Sequence, residues 1–418
     1  MSSGKQHHRI LLLLLLALII VLPQAAPAIG AAGPGQQDPM TVVVCVLDGC
    51  PDVSLSSLPE TAYLRRLCVD ERSQHKSIDA VFPSSTAAGH AAIFTGTYPD
   101  KNGITGKEYL GDDGELVRFN TPDTTEVPTL FHIARSAGYG TAMISAKANV
   151  CRRLSGATDF AIWSDSVPDW AIESAGSPPD ESTQYENYAG WHIELDQWVL
   201  RTVEAYLKYN NAPAFVGINL GSPDTCGHRF GPVPATETVD VLCAISEGLE
   251  ELVATLEATR PGRWSLIITA DHGMTRVDTG IAARDIVGDI TDKDVPMTLD
   301  GGALYVWADD EDRGKIADAL RQTEGVAEVI DIDDKARRSE LNIEHPRTPP
   351  LIAISERGYM FIEALLFMDY TLGSHGTFLD TDLEVPLIVV GPKADAVNLE
   401  KVNSITDIRS VVEMLFDI

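Results

Sequence analysis

The chain has 418 residues, enough for one large core with insertions, and carries 61 acidic against 32 basic residues for a formal charge of −29. That balance argues against a surface built to grip a nucleic-acid polymer or an anionic bilayer, but not against a small phosphate compound taken up beside bound cations. Six cysteines with no C-x-x-C pair make a cysteine zinc knuckle or a thioredoxin-like redox site an improbable reading, and in an exported chain they permit disulfides.

Lys5, His7, His8 and Arg9 precede an apolar run from Ile10 to Leu22 and the small residues Ala26-Pro27-Ala28. This is the pattern of a secretory leader cut after Ala28, followed by an unfolded Gly/Ala/Pro-rich linker over 29–39. The run is short for a membrane span, so no stable span is expected after cleavage. An uncleaved N-terminal anchor is the alternative, and the expected location is secreted or periplasmic.

Thr41 to Leu47, with Val at four positions, predicts a buried strand that stops at the polar tip Asp48-Gly49-Cys50-Pro51. A helix is expected from Leu58 to Leu67. Ser77 to Val81 leads into Phe82-Pro83-Ser84-Ser85-Thr86, and the small residues after Thr86 predict a helix whose first-turn amides face an anion. A plain N-cap is the other reading of Thr86. Val127 to Ala137 is expected to be helical, Thr141 to Ser145 a strand delivering Lys147, and Phe160 to Gly190 a long loop on a pocket rim. Trp191 to Tyr209 and Thr236 to Thr259 have helical spacing, and Ala214 to Leu220 is an apolar strand.

The run Ser265 to Ala270 has no alternation and predicts a central parallel strand, releasing Asp271 and His272 together at its end. Beyond Asp278, Gly302 to Trp307, Glu311 to Thr323 and Val326 to Ile330 predict a small βαβ cap. Leu351 to Ser355, Tyr359 to Met368, a loop around His375, a strand Val385 to Val390 and a helix Ile405 to Phe416 complete the chain. The expected division is 1–28 leader, 29–39 linker, 40–278 first part of the catalytic core, 279–350 accessory subdomain and 351–418 second part of the core.

The polar tips collect Asp48, Thr86, Asp224, His228, Asp271, His272 and His375. Carboxylates and imidazoles are zinc ligands, and six of them suffice for two sites of three with one hydroxyl between. Asp224 and His228 share a face if their segment is helical, while its proline and glycines leave loop ligation equally open. Each residue alone is weak evidence; the set, carried on separate strand ends, is not.

With these motifs together, the chain resembles the alkaline phosphatase superfamily, in particular its nucleotide pyrophosphatase/phosphodiesterase branch and phosphonoacetate hydrolase, from about Thr41 to Pro392. The resemblance implies an α/β three-layer sandwich with a central mostly parallel sheet and a small α+β cap. It implies two zinc ions, one on Asp48, Asp271 and His272, the other on Asp224, His228 and His375, with Thr86 as the nucleophile that forms a phosphothreonine intermediate. Similarity to phosphonoacetate hydrolase extends to Ile144-Ser145-Ala146-Lys147-Ala148-Asn149 with Arg152-Arg153-Leu154. Lys147 matches one of two lysines that bind the substrate carboxylate there, but Asn149 stands at the second. Lys107 occupies the position of an Asn that holds a phosphoryl oxygen, with Asn102 as a substitute for that role and a solvated loop charge as the bland reading.

The leading expectation is an exported two-metal phosphodiesterase or nucleotide pyrophosphatase taking a small phosphate ester or nucleotide. Lys147, Asn149 and Arg152 or Arg153 would instead suit a carboxylated phosphonate, and an aromatic slot from Phe94, Tyr98 or Tyr109 a nucleoside or aryl group. A phosphomonoesterase and a non-catalytic phosphate-binding protein are the remaining alternatives. Oligomeric state is not legible.

Overall fold

The computed structural model describes residues 40–363 and 371–418. The expected leader, the linker and the end of the Tyr359 to Met368 segment lie outside them. No helix among the described residues is long and apolar enough to cross a membrane.

Three runs of apolar residues, Thr41–Leu47, Ala214–Leu220 and Trp264–Thr269, form strands buried at every position. Residues this apolar on both faces are stable only in the middle of a covered sheet. They are adjacent there, in the order Ser73–Asp79, Glu384–Val390, Trp264–Thr269, Thr41–Leu47, Ala214–Leu220, Gly140–Ser145, Phe160–Ile162. Glu384–Val390 runs antiparallel to both neighbours and makes the sheet mixed. On one face Phe215 packs against Phe94, Phe131 and Phe416 from the helices Thr86–Thr95, Leu130–Ser136 and Ile408–Phe416. The long helices Tyr188–Tyr209 and Thr236–Thr259 pack on each other and on the sheet.

A second sheet has the order Met297–Asp300, Ala303–Val306, Leu351–Ser355, Val326–Asp331, all antiparallel, with the helix Arg313–Gln322 against it. Leu351–Ser355, placed from sequence in the second part of the core, is therefore an inner strand of the accessory sheet. It separates the two strands of the expected βαβ unit. A third sheet pairs Thr275–Ala282 with Gly358–Ile362 and Gly373–Ser374, which ties the His375 loop to the strand that follows His272.

Two further expectations are corrected. The helix expected over Leu58–Leu67 is only Tyr63–Leu67, with Pro59 in the turn before it. The expected loop Phe160–Gly190 contains the strand Phe160–Ile162 and the helix Asp169–Ala175, because its aromatics find partners: Trp170 stacks on Tyr209 at 4.9 Å and meets Phe160 edge-on at 5.5 Å. All six cysteines are free thiols.

Candidate active site

Because the three central strands are parallel and in register, with Leu47 opposite Leu220 and Val46 opposite Thr269, their carboxyl ends open on one edge. Asp48, the segment from Gly221 and the pair Asp271-His272 leave the sheet side by side there, the usual ligand edge of an α/β sheet. Thr86 arrives from the helix it begins. Ser85 precedes it in extended conformation and gives no side-chain cap, so the first-turn amides are left for another acceptor. Gly89 allows the approach, since a Cβ there would lie 2.2 Å from the backbone oxygen of Asp271.

Asp224 and His228 are both on the helix Ser222–Phe230, one turn apart, so helical ligation is the arrangement adopted. That helix is held at its start by Asp196, a buried carboxylate from Tyr188–Tyr209 that accepts Gly221 N and Ser222 N at 2.9 Å each and also binds the Ser222 hydroxyl. Burial pushes the Asp196 carboxyl up to about 7, against these donors. His375 comes from the loop after Gly373–Ser374.

Two groups result, Asp48 with Asp271 and His272, and Asp224 with His228 and His375, each offering ligand atoms within 4.8 Å of one another. Asp48, Asp271 and His272 are fully buried. All three histidines turn Nδ1 to a backbone carbonyl: His228 to Gly373 at 2.8 Å, His272 to Gly273 at 2.8 Å and His375 to Ser84 at 2.9 Å. A carbonyl only accepts, so each Nδ1 carries the proton and each Nε2 keeps a lone pair aimed into its group. His228 Nε2 and His375 Nε2 lie 3.2 and 3.5 Å from Asp224 Oδ1, and His272 Nε2 lies 3.5 Å from Asp271 Oδ2. Both carboxylate oxygens are buried; Asp224 Oδ1 has no hydrogen-bond donor, and Asp271 Oδ2 also lies 2.9 Å from His90 Nδ1. Imidazole lone pairs converging on buried carboxylates fit a divalent cation in each group, and the N/O donor set fits zinc. The third acidic group, Asp309, Glu311 and Asp312, is already closed by Lys293 at 2.9 Å from each.

Thr86 Oγ1 faces the first group, 3.4 Å from Asp48 Oδ1 and 3.3 Å from His272 Nε2. The rings of His272 and His375 stack at 3.9 Å and join the two groups. Burial raises the Asp48 carboxyl, and the charge of Asp271 adds to it. Burial also works against Asp271, but the His272 and His90 rings outweigh it and hold that carboxyl well below its usual range.

The other expected residues divide. Lys147 is central: its ammonium bridges Asp48 Oδ1 at 2.9 Å and Asp224 Oδ2 at 2.6 Å. Asn149 is exposed on the next helix, and Arg152 lies over the Trp163 ring at 5.3 Å, away from Lys147's partners. Arg153, not Arg152, is turned inward: it is buried, Nε donates to Phe119 O, and Nη1 has no partner. Lys107 is exposed. Asn102 is occupied by its own loop, donating to Thr97 O at 2.8 Å and accepting Ile104 N at 2.9 Å. The aromatics Phe94, Tyr98 and Tyr109 pack against core or hairpin, Phe94 on Phe131 and Tyr109 on Phe119, so they form no slot. Tyr188 packs against His192 at 4.6 Å and lies under Arg229, the residue after His228, at 4.5 Å.

His90, Asn219, Asp196 and Asp300 were not foreseen. His90 is one turn from Thr86, a spacing visible in the sequence; Asn219 is the lone polar residue of its strand. Asp300 sits at the accessory-sheet turn, with Oδ2 buried and unpartnered, and Gly302 N in the same turn donates to His375 O at 2.7 Å.

A family model described as Type I phosphodiesterase / nucleotide pyrophosphatase matches residues 42–377. The chain belongs to this family. Ectonucleotide pyrophosphatase/phosphodiesterase family member 7 of Homo sapiens is 30% identical over 220 residues, 50% of this chain and 45% of that protein. Venom phosphodiesterase of Macrovipera lebetinus is 27% identical over 48% of this chain and 22% of its own length. The matches thus span less than half of these curated relatives. Among solved structures, phosphonoacetate hydrolase from Sinorhizobium meliloti aligns with a TM-score of 0.68 and 21% identity, covering 90% of this chain and 96% of that one. Wild-type alkaline phosphatase PafA aligns at 0.72 and 17%, covering 91% and 96%. At these identities the likeness concerns the fold, which is that of the alkaline phosphatase superfamily.

Proposed function

We propose that this family member is an exported phosphodiesterase that cleaves a small phosphate diester or a nucleotide pyrophosphate bond through Thr86. The observation that carries the reading is the placement of the Thr86 hydroxyl at the uncapped start of its helix, against Asp48 and His272 and beside two three-ligand groups. Two divalent cations held by those groups, zinc by donor chemistry, would supply Lewis-acid stabilisation of the attacking and leaving oxygens.

Thr86 Oγ1 gives up its proton to solvent and forms a bond to phosphorus as the bond from phosphorus to the leaving oxygen breaks, the electron pair departing with that oxygen, to give a threonine-linked phosphoryl ester. Free amides of the first helical turn receive the nonbridging oxygens, a use of the helix end suited to developing negative charge. Lys147 places a cation between the two carboxylate groups, and the buried Arg153 a second one behind them. Water then cleaves the Oγ1–P bond and restores the hydroxyl. The leader pattern before Ala28 supports export.

An ester is favoured over a carboxylated phosphonate because the residues that would hold a carboxylate are not assembled: Asn149 is exposed, Arg152 lies on Trp163, and both hydrogen bonds of Lys147 go to the metal-group carboxylates. Thr86→Ala is the test. Turnover is expected to fall by at least about 1000-fold, the scale of a lost nucleophile, while bound zinc measured by elemental analysis stays near the parent value. Unchanged turnover removes the covalent route.

A further inference from the structure

Asn219 is the only polar residue in the strand Ala214–Leu220 and is fully buried, between the first histidine-carboxylate group and the nucleophile helix. Its Nδ2 lies 2.9 Å from Asp48 Oδ2 and 3.1 Å from His90 Nε2, and its Oδ1 accepts the Ser145 hydroxyl at 3.0 Å. Asp48 can only accept, which fixes the amide orientation, and the second amide hydrogen then goes to His90 Nε2. His90 Nε2 is therefore bare and the ring proton is on Nδ1. The far side of the ring agrees: Nδ1 lies 3.0 Å from the backbone oxygen of Thr86, which also only accepts. The same nitrogen is 2.9 Å from Asp271 Oδ2.

One amide thus touches both Asp48, in the first metal group, and His90, on the helix that Thr86 begins. It engages Asp48 Oδ2, while Oδ1 faces Thr86, His272 and the Lys147 ammonium. Through the His90 ring it fixes the first turn of the nucleophile helix beside Asp271. A buried amide with both hydrogens and its oxygen engaged is a costly device in an apolar strand unless its directionality is used.

We infer that Asn219 is a positioning residue: by holding His90 with its proton on Nδ1 and holding Asp48 by one oxygen, it sets Thr86 and the first metal group relative to each other. The inference rests on the proposed function only for the assignment of Asp48, Asp271 and His272 as a metal site.

The test uses the full chain loaded with zinc and two variants. Asn219→Leu removes the amide at nearly constant volume, and Asn219→Asp keeps the shape while replacing the N–H donors by an acceptor. In competition with a chromogenic chelator, both are expected to bind one zinc about 10- to 100-fold more weakly, the usual cost of removing a support of metal ligands, and to hold the other as the parent does. His375→Ala identifies which step belongs to the second group. In spectra of protein labelled with 15N-histidine, the His90 signal, assigned by its loss in His90→Gln, is expected to show a protonated Nδ1 and bare Nε2 in the parent. That pattern is expected to be lost in Asn219→Leu, and Asn219→Ser serves where that variant does not fold. Zinc affinity unchanged in Asn219→Asp, or an unchanged His90 pattern in Asn219→Leu or Asn219→Ser, overturns the inference. Both readouts are independent of substrate, so a failure of the parent protein to cleave any phosphodiester would count against the proposed function and leave this result to be judged on its own.

Discussion

At the scale of single residues, the two groups that could hold a metal were legible because their residue types recur together at the ends of apolar runs, although no one of them is strong evidence alone. What the sequence could not give is direction. Arg152 and Arg153 are adjacent and chemically identical, yet one lies over Trp163 and the other is buried, a difference set by the rotation of a single helix. Asn219 and His90 escaped for a related reason, since a buried polar residue announces itself only through its partners, and those are 171 and 129 positions away in the chain. The assignment of His375 is testable in the same terms. Its Nδ1 is committed to Ser84 O and its Nε2 points to Asp224. His375→Ala is expected to lose one zinc of two by elemental analysis after gel filtration; retention of both removes His375 from the ligand set.

At the scale of elements, the strands that carry the site were predicted almost to their ends, because seven consecutive apolar residues allow little besides a covered strand. The accessory region was less legible: Leu351–Ser355 pairs between two strands that are closer to each other in sequence, and nothing local encodes such an insertion. The stretch from Phe160 to Gly190 misled because its Trp and Pro content resembles a rim loop, whereas stacking of Trp170 on Tyr209 fixes it to a helix. Gly89 gives the sharpest test of element packing. Alanine in a helix interior is favoured over glycine by about 1 kcal/mol, so propensity alone predicts that Gly89→Ala stabilises. Its Cβ would meet the Asp271 backbone oxygen at 2.2 Å, an overlap that costs roughly 1–3 kcal/mol or more because backbone cannot rotate away. We expect a net loss of stability in urea denaturation together with weakened zinc binding; a stabilised variant would mean that the helix begun by Thr86 does not approach Asp271 as described.

At the scale of the whole molecule, a chain of formal charge −29 is an unlikely-looking home for an anionic substrate until its site is separated from its surface. The acids are spread over the chain, while the site gathers the Lys147 ammonium and two groups that fit divalent cations, so the formal charge does not set the local potential. The fold was legible from the motifs, but the substrate was not: the chain is similar to proteins named for phosphodiesterase, phosphonoacetate hydrolase and alkaline phosphatase activities. The measurement that bears most directly on the central claim is product release by the zinc-loaded protein from phosphonoacetate, bis-p-nitrophenyl phosphate, p-nitrophenyl phosphate and a nucleoside triphosphate, each run beside Thr86→Ala. The account predicts nitrophenol from the diester, or pyrophosphate from the nucleotide, at rates above those for the other two compounds and lost in Thr86→Ala. Orthophosphate from phosphonoacetate with no cleavage of either the diester or the nucleotide would contradict it and make Lys147 part of a carboxylate site after all.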